Sequence, residues 1–361
     1  MNDANELISF IASMSGEGNL RVEENLGEGY VRLRVSEAER RQAKHDIQHV
    51  EDIVIEMLRN ARDAGADKVY LATTKEEGVR TLLFLDNGSG VPQDMQERIF
   101  DARVTSKLES MKMDRWGVHG RGMALFSIKQ NTDEARVVTS GVDLGSAFKV
   151  CVATDRLGER ADQSSWPQAV KDEDGRYVCA RGPHNIIRAA CEFALEELRC
   201  CDVYLGSPSE IAATLYAQAS SRLDTSRLLF IDDECELPVI DRLGLASDAE
   251  DFIRICSGLG LDMSERTAHR ILSGQIKPVR GVTARLLRER DSTSHAPAPV
   301  DLAKDRRGLR IAKDDMAQFS RAVERDFNDL AARYYLNLCG DPKIRVSRDR
   351  ITVTFDLAKE E

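Results

Sequence analysis

The apolar positions of this chain repeat with two periods, near 3.6 and 2, and the switches between them predict its elements. A helical period opens the chain at Glu6–Met14, followed by a Gly-rich turn at Gly16–Asn19. Alternation in Tyr30-Val-Arg-Leu-Arg-Val35 predicts a strand, read as an extra edge of the sheet that follows. Ala38–Arg62 reads as one long helix or two. Strands Lys68–Thr73 and Arg80–Leu85 form a hairpin around Lys75-Glu-Glu-Gly78, and Ala135–Thr139 with Ala147–Thr154 form a second pair. Helices on one side of this mixed, mostly antiparallel sheet predict a two-layer α/β sandwich.

Beyond Asp155 the periods are shorter-lived. Asp162–Gly175 is polar and reads as an exposed excursion. Asn185–Leu198 is an amphipathic helix, Cys201–Leu205 a strand, and Ser209–Arg222 a helix with Ser207-Pro208 at its start. Leu228-Leu-Phe-Ile231 is expected to be buried. Ser292–Pro299 is a Pro/Ser linker. Asp314–Leu338 is a long helix whose stripe Met316, Phe319, Val323, Phe327, Leu330 and Tyr334 is expected to be core, with a dimer seam as the other reading. Lys343–Val346 and Arg350–Phe355 alternate as a terminal hairpin. The predicted divisions are 1–155, 156–236, 237–292 and 300–361, the later ones mainly helical.

Three pieces within 56–122 carry chemistry. Glu56 and Asn60 lie one turn apart on a helix, so both can point into one cavity. The apolar run Leu82-Leu-Phe-Leu85 ends in Asp86-Asn-Gly88-Ser-Gly90. Gly117-Val-His-Gly120-Arg-Gly122 leads into a helix over Met123–Gln130, and glycines before a helix let backbone N–H groups close on a phosphate. The position is wrong for a dinucleotide-binding βαβ unit, and GxxxxGK[ST] is absent.

That order, with Gly145-Ser146-Ala-Phe148-Lys-Val150 as a fourth element, resembles the GHKL (Bergerat-fold) ATPase superfamily over about Ile47–Val150. The resemblance implies ATP as ligand. Asp86 would accept from the adenine amino group, with Gly88 and Gly90 passing close to the base and Ser146 supporting both through water. Asn60 would hold magnesium between the phosphates. Gly117, Gly120 and Gly122 would form the phosphate lid, and Lys107 would reach phosphate as it closes. The lid, about Asp101–Trp116, is expected to be ordered with nucleotide bound.

Glu56 points to hydrolysis, because a glutamate there is the general base of the hydrolysing members. Histidine kinases also have a phosphoacceptor helix pair, and Lys44-His45-Asp46 lies too near Glu56 to belong to one. A nucleotide sensor without turnover, and a kinase acting on a separate partner, remain open. Some dimeric members strap a partner with an N-terminal arm, which leaves a homodimer open.

Composition narrows the partners. The 361 residues carry a net charge of −10, so attraction to nucleic acid or an anionic membrane needs a local basic face. Eight cysteines without a CxxC pair indicate neither zinc nor a disulfide framework. With no signal peptide and no apolar run near the roughly 20 residues needed to span a bilayer, a cytoplasmic protein without a membrane partner is expected. The basic face exists locally. Asp262–Arg290 holds seven basic residues against three acids, a net +4. There Gly258-Leu-Gly260 precedes a helix capped by Ser264 and stopped by Gly274, which resembles a Cro/repressor-type helix-turn-helix. That resemblance implies double-stranded DNA bound through 252–290. Glu265, Arg266, His269 and Arg270 would lie in the groove, and Arg280 and Arg285 on phosphates. A three-helix connector or a protein-docking module is the alternative.

Overall fold

The computed structural model describes residues 22–106, 112–114, 116–119, 122–160, 162–223, 233–291, 313–331, 336–340, 342–346 and 351–359. The expected Glu6–Met14 helix, the Leu228–Ile231 run, the Ser292–Pro299 linker, and residues Lys107, Gly120 and Tyr334 lie outside them. The chain forms two compact units, 1–290 and 291–361.

The first unit begins with β1 (Val22–Gly27) and β2 (Tyr30–Leu33). Ser36 then caps α1 (Glu37–Asp46) in a reciprocal box with Glu39, and α2 (Val50–Asp63) follows. The ambiguous 38–62 stretch is therefore two helices. On α2 the 3.6-residue stripe Val50, Ile53, Val54, Met57, Leu58 and Ala61 is buried. Gly65, at φ +76°, ends the helix in the left-handed conformation a side chain disfavours, and its N–H returns to the Arg62 carbonyl.

Next come β3 (Lys68–Glu76) and β4 (Val79–Asp86), two short 3-10 turns, β5 (Val104–Thr105), and a hairpin of β6 (Lys112–Asp114) and β7 (Gly117–His119). Helix α3 (Ala124–Asn131), β8 (Glu134–Ser140) and β9 (Ser146–Ala153) complete the matched motifs. The predicted excursion holds a hairpin, β10 (Gln168–Lys171) and β11 (Tyr177–Arg181), with Ala169 and Cys179 buried. Then follow α4 (Ile186–Glu196), β12 (Asp202–Gly206) and α5 (Pro208–Arg222) with its Ser207 capping box. The helices α6 (Ala249–Gly258), α7 (Glu265–Leu272) and α8 (Val282–Asp291) close the unit.

The main sheet has the order β12-β3-β4-β9-β8, with β12 parallel to β3 and the other pairs antiparallel. It is the mixed, mostly antiparallel sheet of an α/β sandwich. One face packs on α2, α3 and α4 through Val69, Leu71, Leu82, Phe84, Phe148 and Val150. The opposite face is also covered. Tyr70, Ala72, Leu83, Leu85 and Ala147 pack against α5, α6 and α7. Helices from late in the chain thus add a layer that the two-layer expectation lacked. The uninterrupted run Leu82–Leu85 has its reason here, since a strand covered on both faces has no polar side. Truncating a fully buried Leu82 to Ala costs about 2–5 kcal/mol.

One strand expectation is corrected. The 30–35 segment is not an edge of the main sheet: β2 pairs with β1 and β5 in a separate three-stranded sheet. Val31 and Leu33 are buried, and Leu33 N–H bonds to the Arg103 carbonyl, so the alternation serves that small sheet instead.

The helical triplet is divided between clusters. Ala268 and Ile271 of α7 join the α5–α6 side, whereas Val282 and Leu286 of α8 join the cluster around α2 and α4. Gly260, at φ +79°, lies so close to the sheet that an added Cβ would sit 3.0 Å from Leu83 and 3.3 Å from Val138. The Gly-Leu-Gly turn therefore has a packing reason.

The second unit contains α9 (Lys313–Ala331), β13 (Leu336–Leu338) paired with β16 (Leu357–Lys359), and the hairpin of β14 (Lys343–Val346) and β15 (Ile351–Thr354). Phe327 stacks on Phe355 at 4.0 Å between ring centroids. Phe319 and Leu330 are 38% and 47% exposed, so the expected core stripe of α9 is only partly covered. Among the described residues no helix is long and apolar enough to cross a membrane.

Candidate functional site

A cavity of about 480 Å³ lies between α2, the end of β4, the start of β9 and the N-terminus of α3. Its volume is within the roughly 300–1,000 Å³ of small-molecule sites. Glu56, Asn60, Asp86, Gly90, Gly122 and Ser146 all line it. The helical spacing of Glu56 and Asn60 brings both to the cavity, as expected.

At its closed end the antiparallel register sets Asp86 directly opposite Ser146. Both are buried. Asp86 Oδ1 accepts the Gly88 N–H at 2.8 Å, and Oδ2 accepts the Ser146 hydroxyl at 2.6 Å. The serine contact is direct, where the resemblance implied water.

Glycine is sterically required around this carboxylate. A Cβ on Gly88 would sit 2.8 Å from the Ala64 Cβ. On Gly90 it would fall 1.8 Å from the Gly141 carbonyl oxygen, and on Gly145 2.1 Å from that of Asp86. Gly145 was legible in the Gly-Ser motif but was not singled out.

At the other end, α3 starts at Met123 without a side-chain cap, and Gly122, Met123, Ala124 and Leu125 line the cavity. The first N–H groups of a helix have no partner within it and carry positive partial charge. An anion is the complement of such an end. Gly122 is held by the residue that precedes β5: its carbonyl accepts the Arg103 N–H at 2.8 Å. Gly117 lies in β7, paired with Asp114.

Charge in the cavity is unbalanced. Asp46, Glu56, Asp63 and Asp86 line it against one described cation, Arg59. Arg59 is engaged with acids, donating to Glu56 Oε1 at 2.7 Å and to both Asp114 oxygens at 2.9 and 3.0 Å. Arg62 extends the network to Asp63, Asp114 and Glu197. Burial opposes the Arg62 charge, but its bonds to Asp63, then Asp114 and Glu197, outweigh it and hold its pKa above the ordinary value. Sequence reasoning missed Arg59, Asp114 and Trp116, because contacts spanning more than fifty residues leave no local pattern.

The amide nitrogen of Asn60 is buried at the cavity wall with no hydrogen-bond partner among the described residues. Such a group costs about 1–3 kcal/mol when unmatched, so this position suits a polar ligand. Among the described residues no group of three or more His, Cys, Asp or Glu could hold a metal ion alone. Any magnesium here would therefore depend on oxygens brought by a ligand, the habit of that ion.

Tyr30 of β2 and Gln42 and Asp46 of α1 also line the cavity, so segments ahead of the matched motifs form part of its wall. Burial raises the Tyr30 pKa, against a hydrogen bond with Ser106.

On the opposite side of the sheet, Arg266, His269 and Arg270 are exposed on α7. With Glu265, Ser273 and Gln275 they line a shallow surface depression. Arg285, the expected phosphate contact, stacks its guanidinium 3.8 Å from the Trp166 ring centroid.

Comparison with known proteins agrees with the cavity. Residues 47–148 match the family model described as "Histidine kinase-, DNA gyrase B-, and HSP90-like ATPase". DNA mismatch repair protein MutL of Brucella abortus (strain S19) is 34% identical over 112 residues, 31% of this chain and 18% of that protein. The MutL of Thermodesulfovibrio yellowstonii is 31% identical over 107 residues, 29% of this chain and 19% of its own. The chain thus spans under a fifth of the length of these relatives. Residues 47–148 carry a GHKL-type ATPase domain, of the family that joins histidine kinases, gyrase B and HSP90.

Proposed function

We propose that the protein binds ATP with magnesium in the α2–β4–α3 cavity and hydrolyses it slowly. The observation that supports this best is the convergence of Glu56, Asn60, Asp86, Ser146 and the uncapped start of α3 on one cavity. Asp86 accepts the adenine amino group, with Gly88 and Ser146 holding its carboxylate in place. The phosphates lie toward Gly122 and the N–H groups of α3. Asn60 holds magnesium, whose charge offsets the meeting of an acidic cavity with a polyphosphate.

Glu56 is the general base. It takes a proton from water as the water oxygen bonds to the γ-phosphorus; the bond from phosphorus to the β,γ-bridging oxygen breaks, and ADP and phosphate leave. Its side chain is half-buried, at 22% exposure, so solvent reaches part of it.

A DNA-binding role is a second part of the reading, supported by the exposed Arg266, His269 and Arg270 and by relatives named for DNA mismatch repair. Duplex DNA would lie along α7.

Calorimetry with ATP and magnesium, together with phosphate release, tests the first part. Unsubstituted protein is expected to bind and turn over, and Glu56→Ala to bind while losing about 10²–10⁴-fold in rate. Binding without phosphate release in the unsubstituted protein would leave a nucleotide sensor.

A further inference from the structure

Glu56 has a neighbour that the motif does not contain. Three residues along the same helix, Arg59 donates one guanidinium nitrogen to Glu56 Oε1 at 2.7 Å. Its other edge forms a two-pronged pair with Asp114 at the end of β6. The Arg59 and Asp114 side chains are 3% and 7% exposed. Asp114 also accepts the Trp116 N–H at 3.0 Å, and the Trp116 ring stacks with Phe193 of α4 at 6.4 Å. One planar group thus joins the carboxylate assigned to water activation to the β6–β7 hairpin.

Resting on the hydrolase reading above, we propose that Arg59 is a positioning residue whose clasp by Asp114 fixes the orientation of the Glu56 carboxylate. A guanidinium is rigid and planar, so holding its Nε edge by two bonds determines where its remaining nitrogen points. With Asp114 in place, the bond from Arg59 to Glu56 Oε1 has a fixed direction, and the carboxylate is oriented by it. Without Asp114 the guanidinium loses the two-pronged clasp that sets its plane, and its bond to Glu56 loses its fixed direction. Glu56 then keeps its identity and loses its aim.

Asp114→Asn tests this, with Glu197→Gln as the control that cuts only the Arg62 arm of the same network. Asp114→Asn is expected to lower kcat about 10–100-fold, the scale of a misplaced reacting group, with ATP affinity within about threefold. Glu197→Gln is expected to keep kcat, and Asp114→Asn to add nothing in a Glu56→Ala background, since residues acting as a unit are not additive. Equal losses in the two single variants, a full further loss on top of Glu56→Ala, or an unchanged kcat in Asp114→Asn would each overturn the proposal. If Asp114→Asn does not fold by circular dichroism, Arg59→Lys replaces it: the charge stays and the fork is lost, so the same split between kcat and affinity is expected, and unsubstituted kcat overturns the proposal. Failure of the hydrolase reading is visible separately, as no phosphate release from unsubstituted protein, and the proposal would fall with it.

Discussion

Ser146 and Asp86 face one another across the β4–β9 ladder, and the serine hydroxyl donates to Asp86 Oδ2 at 2.6 Å. The bond holds a buried carboxylate in the wall of the cavity. Asp86→Asn replaces one acceptor oxygen by a donor, which faces either the Gly88 N–H or the Ser146 hydroxyl, and it removes the charge offered to the adenine amino group. A charge-assisted bond is worth about 1.5–3 kcal/mol, so ATP affinity should fall roughly 10–150-fold. Calorimetry decides it: equal affinity in both proteins would rule out Asp86 as the adenine acceptor.

Gly145 should be intolerant of any side chain. Its φ is +77° and an added Cβ would lie 2.1 Å from the Asp86 carbonyl oxygen, which belongs to the backbone and cannot move aside cheaply. Gly145→Ala is expected to cost clearly more than the about 1–2 kcal/mol of left-handed strain alone, and to weaken ATP binding by shifting Asp86. Gly78 is the control, with φ +82° and open space around it. Gly78→Ala should cost only the strain and leave ATP binding alone. Equal unfolding midpoints for the two variants would contradict the close approach at Gly145.

Acid sensitivity should trace in part to Glu159. Burial works to raise its pKa, but hydrogen bonds and charge from Arg80 and Lys75 outweigh that and hold it below the ordinary carboxylate value of 4.5. A carboxyl depressed in the folded state stabilises fully above its unfolded pKa, and that contribution is lost as pH falls through the folded value. Urea unfolding of Glu159→Gln should therefore show lower stability than the unsubstituted protein at neutral pH and a smaller decline below about pH 4.5. Parallel pH curves for the two proteins would remove Glu159 from the account.

The α7 surface separates two kinds of contact. Arg270→Ala should weaken a specific duplex by about 1–3 kcal/mol if α7 reads bases. Arg285 stacks on Trp166, so Arg285→Ala should weaken all duplexes alike, flatten the salt dependence, and also loosen the Trp166 side chain. Fluorescence anisotropy of the full chain against salt, with and without ATP, measures both. No binding to any duplex at low salt would leave α7 as a surface for another class of partner.

What could be read beforehand follows from how local each cause is. Glu56, Asn60, Asp86 and the glycines are marked by helical spacing, by strand ends, and by backbone positions no other residue tolerates. Their causes lie within a few residues. Arg59–Asp114 is a pairing 55 residues apart, and nothing around Arg59 announces it. The second helical layer was hinted at by Leu82-Leu-Phe-Leu85, which has no polar face, yet the run does not say which later segment will cover it. Gly258-Leu-Gly260 carried a true signal with two physical explanations, a turn before a recognition helix and a close approach to Leu83 and Val138. Tyr30–Val35 had the right period, and its strand partner, β5, could not be inferred from alternation.

Strand β4 has a consequence for how change is tolerated. Phe84 lines the α2–β4–α3 cavity, while its neighbour Leu83 lies where a side chain on Gly260 would fall, on the other side of the sheet. The two regions are thus separated by a partition one residue thick. Protein interiors are close-packed, so bulk added at 83 or 260 has no slack to enter on the α6 side. At 260 it meets the Leu83 and Val138 side chains, which must give way or pass the strain to the strand that carries Asp86. Variation on the late helices is in this way coupled to the cavity wall on the other side of the sheet.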